Sequence, residues 1–95
     1  MTEAQLRQQV VDYAHQRGWK VFSLPAAKTR RPVKDAVGYP DLTLARQGRV
    51  VWIELKQERG VLSPDQLRWL QELEPVCYVI RPSDLGGDML RLLLA

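Results

Sequence analysis

The chain has 95 residues, 45 % of them hydrophobic, which makes one small globular domain and leaves no room for a second. Fourteen Lys and Arg against eleven Asp and Glu give a net charge of +3, a balance that permits a polyanionic partner without requiring one. The single cysteine, Cys77, excludes an intrachain disulfide and a paired-thiolate metal site, and neither an N-terminal apolar segment nor a run of eighteen apolar residues is present, so a reducing, cytoplasmic setting with no membrane is expected.

Thr2, with Gln5 three residues on, reads as a capping box, and Leu6, Val10 and Ala14 recur at helical spacing until Gly18, which predicts a helix over about residues 3 to 17. At about 100° per residue Glu3 falls in the same stripe as Val10 and Ala14. It is therefore either an acid turned inward or a frayed first-turn residue favoured only by the helix dipole. WKVFSL (19 to 24) alternates as a strand. KTRRPVK (28 to 34) follows with Lys28, Arg30, Arg31 and Lys34, either a solvated loop or one that meets phosphates.

DLTLAR and RVVWIELKQ flank Gln47-Gly48, a hairpin connection whose glycine supplies positive φ. Ser63, Pro64 and Gln66 then occupy N-cap, first-turn and capping-box positions of a second helix, with Leu67, Leu70 and Leu73 as its apolar face and Pro75 as its terminator. VCYVI is a short buried strand in which Cys77 reads as a small core residue. SDLGGDMLRLLLA reads as a turn and a C-terminal helix interrupted by Gly86 and Gly87. The order α-β-β-β-α-β-α predicts an α/β fold, a mixed sheet flanked by helices.

A two-residue hairpin loop sets the register. Leu44 meets Val51 and Leu42 meets Ile53 on one face; Thr43 meets Trp52 and Asp41 lies opposite Glu54 on the other. Opposed side chains stand about 4.5–5.5 Å apart at Cβ, where like charges repel unless a cation intervenes. The two acids are then a pair with a raised pKa or a cation site. Mg²⁺ accepts one or two carboxylates plus waters and phosphate oxygens, which suits this inventory better than zinc. Lys56 projects from the same face as Glu54 and can meet a metal-bound water or the charge developing on a phosphate, as metal-assisted phosphodiester hydrolysis requires. Gln66, beside the free amides of a helix N-terminus and Ser63, either serves that site or only closes the capping box.

Gly38-x-Pro40-Asp41, then Glu54-Leu55-Lys56, then Leu62-Ser63-x-x-Gln66-x-x-Trp69, after a helix that opens on an acid, resembles the VRR-NUC branch of the PD-(D/E)XK nucleases over almost the whole chain. The resemblance implies a restriction-endonuclease-like fold, with Asp41, Glu54 and the main-chain carbonyl of Leu55 holding Mg²⁺ or Mn²⁺. It also implies that Lys56 positions the attacking water and that Gln66 and Glu3 complete the pocket. Lys28, Arg30, Arg31, Lys34 and Ser63 are the candidate DNA contacts. Stand-alone relatives are phage and bacterial homodimers that cut branched DNA such as Holliday junctions; the short form is the nearer comparison, working in the cytoplasm of a bacterial or phage-infected cell with no small-molecule cofactor. Leu90, Leu93 and Leu94 either supply a dimer stripe or finish the core. Two rival readings stand beside this one: a non-catalytic nucleic-acid-binding module, and a nuclease of flaps or RNA.

Overall fold

The computed structural model describes residues 1–24 and 35–95. In chain order these form α1 (Glu3–Gln16), β1 (Lys20–Ser23), β2 (Leu42–Arg46), β3 (Arg49–Leu55), α2 (Pro64–Glu72), β4 (Cys77–Ile80), a 3-10 turn (Pro82–Gly86) and α3 (Met89–Leu93). The expected order of elements is the observed one. The strands make one sheet in the order β1-β2-β3-β4, antiparallel between β1 and β2 and between β2 and β3, parallel between β3 and β4.

α1 starts as its sequence requires. Thr2 Oγ1 accepts from the Gln5 amide at 3.1 Å, and Gln5 Oε1 accepts from the Thr2 amide at 2.8 Å. Those two bonds satisfy donors that a helix N-terminus otherwise leaves free. At the other end Gly18 takes φ +81°, the left-handed conformation that ends the helix. The strand that follows begins at Lys20 rather than Trp19, because the indole turns into the core and its Nε1 donates to Leu94 O at 3.0 Å.

The register read from the hydrophobic pattern is present residue for residue: Leu42 with Ile53, Thr43 with Trp52, Leu44 with Val51. Gln47 and Gly48 both have positive φ, +49° and +82°, the pair a type I′ hairpin turn demands. On the core face Leu42, Leu44, Val51 and Ile53 pack with Leu6, Val10 and Ala14 of α1. Leu90, Leu93 and Leu94 join the same cluster at 6 %, 9 % and 0 % exposure, so they finish the core and do not form a spare stripe for a second copy. Of the leucines in that segment only Leu92 is exposed.

α2 lies over the opposite face and is held differently. None of its residues is buried, and Leu67, expected on its inner apolar face, is 44 % exposed. Its attachment runs through polar and aromatic contacts. Trp69 meets Tyr39 edge to face at 4.9 Å between ring centroids, Trp69 Nε1 donates to Asp35 O, and Trp52 Nε1 donates to the Tyr39 hydroxyl. No helix among the described residues is long and apolar enough to cross a membrane.

Candidate active site

Asp41 stands directly before β2 because the turn Gly38-Tyr39-Pro40 aims it there. Gly38 has φ +84°, and a Cβ on it would lie 2.5 Å from the carbonyl carbon of Asp65 and 2.7 Å from the Gln66 nitrogen. Only glycine allows both the conformation and the approach to the first turn of α2. Asp41 O accepts from the Leu24 amide at 2.9 Å, extending the β1–β2 pairing by one step.

Each oxygen of the Asp41 carboxylate is engaged. Oδ2 accepts from the Leu55 amide at 2.9 Å, and Oδ1 accepts from Arg7 Nη2 at 3.3 Å. Leu55 was expected to contribute its carbonyl to a metal; its observed contact with Asp41 is through the amide. Glu54 faces Asp41 from β3 and is 6 % exposed, the one buried charged side chain among the described residues. Its pKa is pushed up from 4.5 to about 8, first by burial, then by the charge of Asp41 and a hydrogen bond to it, while the Lys56 charge acts in the opposite direction. The two acids therefore share one place, as the register requires.

Gln66 does both of the things its position allowed. Its backbone amide donates to Ser63 Oγ at 3.1 Å and its Oε1 accepts from the Ser63 amide at 2.8 Å, closing the capping box. Its Nε2 then donates to Glu54 Oε2 at 3.1 Å. The helix cap and the carboxyl are thus one hydrogen-bonded unit. The hydroxyl oxygen of Ser63, a candidate DNA contact, is occupied in that cap.

Lys56 follows Leu55 at the end of β3, half-buried, and makes no ion pair among the described residues. The turn beyond it is fixed by Arg81, whose Nη1 donates to Gln57 O and to Gly60 O, both at 2.7 Å. Cys77, which β4 places opposite Trp52, is buried; burial and the nearby Glu54 push its thiol up to about 11, so it stays a packed, neutral side chain.

Glu3 is not on the buried stripe. Its side chain is 52 % exposed and lies 3.9 Å from Arg7. The buried row is Leu6, Val10 and Ala14; Glu3 lies on the same side, about 20° from Val10 and from Ala14, but in the first turn, before Leu6, where the row is no longer covered. It reaches the site only through Arg7, which bridges Glu3 and Asp41. Arg7 is the residue that sequence reasoning missed. The available signal was a cation four residues after Glu3 on a helix whose acid was already a candidate. Lys28, Arg30, Arg31 and Lys34 lie outside the described residues.

The donor set decides what ion could fit. Two carboxylates with hard oxygens meet, and among the described residues no group of three or more His, Cys, Asp or Glu side chains converges on a metal site. Two acids suit Mg²⁺ or Mn²⁺, which keep waters and borrow phosphate oxygens, and a cation between the pair offsets the burial and, after it, the repulsion that together keep a proton on Glu54. A cleft of about 170 Å³ beside Trp69, lined by Asp35, Arg68, Trp69 and Glu72, includes neither acid of the pair. No family model, no curated protein and no solved structure matches the chain.

Proposed function

We propose that the protein is a metal-dependent endonuclease that hydrolyses phosphodiester bonds in DNA, with a restriction-endonuclease-like fold of the VRR-NUC kind. The observation that carries this is the convergence of Asp41 and Glu54 on one sheet face, with the charge of Lys56 reaching Glu54 from the residue just after β3. Asp41 and Glu54 would hold Mg²⁺ or Mn²⁺, which supplies a polarised water and a counter-charge for a phosphate oxygen.

The residues of this chain account for the remaining work. The Leu55 amide and Gln66 Nε2 each fix one carboxylate, so the acids present their other lone pairs in a set direction. Lys56, free of any acid partner among the described residues, donates to the attacking water or to a non-bridging phosphate oxygen as charge gathers there. One water adds across the phosphorus–oxygen bond, hydroxyl to phosphorus and hydrogen to the released sugar oxygen. Branched DNA as substrate and a homodimer as the working form follow from the family resemblance alone.

Labelled four-way-junction, flap and duplex DNA incubated with the protein in Mg²⁺ or Mn²⁺ tests the reading. Cleavage is expected, reduced by a factor of at least about 10² in Asp41→Ala and in Lys56→Ala. If nothing is cut, or if both variants cut as well as the parent, the protein is not this enzyme. A second reading, a nucleic-acid-binding module without catalysis, is favoured by one observation: the Arg7–Asp41 pair gives Asp41 a structural partner. That module would bind DNA without a divalent ion and lose affinity steeply with salt.

A further inference from the structure

Arg7 is the charged group at this site that the proposed chemistry leaves without a task. Its guanidinium has a firm side and a loose side. Nη1 donates to Ser23 Oγ at 2.7 Å and to Leu24 O at 2.9 Å, both at the end of β1. Nη2 meets Asp41 Oδ1 at 3.3 Å and stands 3.9 Å from Glu3. The anchor is therefore the strand end, and the contact with the carboxylate is the weaker attachment. The side chains of Arg7 and Asp41 are 20 % and 21 % exposed, so water reaches the pair.

A guanidinium fixed through one nitrogen can change the partner of the other without leaving its seat. A divalent ion arriving on Asp41 gives it cause to do so, because two cations on the same carboxylate oxygen repel each other. What is then left is an arginine N–H group at the rim of the site, matched in charge and geometry to a phosphate oxygen. We propose that Arg7 is a displaceable counter-ion: it neutralises Asp41 until a divalent ion takes that carboxylate, and its freed Nη2 then holds a backbone phosphate of the bound nucleic acid. This inference rests on the metal-dependent reading of the same site.

The test uses the full, metal-free chain and Mn²⁺ alone, by titration calorimetry. Arg7→Gln is expected to bind Mn²⁺ about fivefold more tightly than the parent, the order of one partly exposed competing ion pair. With Ca²⁺ in place of Mn²⁺, the same variant is expected to bind four-way-junction DNA severalfold more weakly. An Arg7→Gln protein that binds Mn²⁺ no more tightly than the parent, or DNA as well as the parent, overturns the inference and leaves the nuclease reading standing. A parent that takes up no Mn²⁺, or an Asp41→Ala variant that takes up as much as the parent, overturns both. The parent also carries the test by itself. Mg²⁺ titrated into ¹⁵N-labelled protein is expected to shift the Arg7 side-chain resonances along the same curve as the Leu55 amide, which bonds the other oxygen of Asp41. An Arg7 signal that stays still while Leu55 moves overturns the proposal even if the glutamine variant does not fold.

Discussion

Glu54 keeps a carboxyl at 6 % exposure beside a second acid, and the fold carries that arrangement at a cost that depends on pH. Its folded pKa, about 8, lies above the ordinary 4.5, so the folded state holds the proton more tightly than the unfolded one. The stabilisation is complete below about 4.5, declines as pH rises and is gone above about 8. In EDTA, melting temperature is therefore expected to fall between about pH 5 and about pH 9, by an amount on the order of 3 kcal/mol in stability. Glu54→Gln should flatten the profile. Mg²⁺ should raise the melting temperature more at the alkaline end, where the carboxylate is free to bind it. A flat profile in the parent would mean that the burial of Glu54 does not govern its proton. This pairing was legible in the sequence because hairpin register is exact: once Leu42 and Leu44 must face Ile53 and Val51, Asp41 has no other neighbour than Glu54. Of the two readings of Glu3 the exposed first-turn one holds, because the buried row stops at Leu6 although a helical wheel carries it on to the first residue, and Arg7 was missed because side-chain reach across elements is not a periodic property.

At the scale of elements the difference between the two helical faces decides what is stable and what is mobile. α1 sends three fully buried side chains into the core, whereas α2 sends none. The amphipathic spacing of Leu67, Leu70 and Leu73 was readable; what covers that stripe was not, since periodicity reports an apolar face and says nothing of its partner. α2 is held by its cap, by the Tyr39–Trp69 contact and by the close approach of Gly38. Its amides are expected to exchange with solvent faster than those of β3. Gly38→Ala forces a side chain into φ +84° and into the backbone of Asp65 and Gln66. It is expected to cost about 2 kcal/mol or more and to weaken divalent-ion binding, because Gln66 carries Glu54 with it. Thermal melts and Mn²⁺ titration of this variant measure the two effects separately; an unchanged Mn²⁺ affinity would show that the turn does not set the carboxyl pair.

The whole molecule is small, and a few leucines decide whether it folds. Leu94 is fully buried, and Leu94→Ala is expected to remove about 2–5 kcal/mol, a large part of the stability of a domain this size. Denaturant titration checks it, and a loss under about 1 kcal/mol would place Leu94 outside the cooperative core. Composition and element order made the α/β layering readable, but not whether Leu90, Leu93 and Leu94 turned inward, because an apolar run at the end of a chain fits a core and an interface equally well. The structure settles it through Trp19, whose indole bonds Leu94 O across 75 residues, and through Arg46 and Arg49, which both donate to Ala95 O. So long a closure has a consequence for synthesis. While the ribosome still encloses α3, the apolar face of β2 and β3 lacks its last cover and the helix-one side of the sheet cannot be sealed. Leu42 and Leu44 therefore stay uncovered until α3 has been made and Leu94 has docked, so this face closes late, by contacts between segments far apart in the chain.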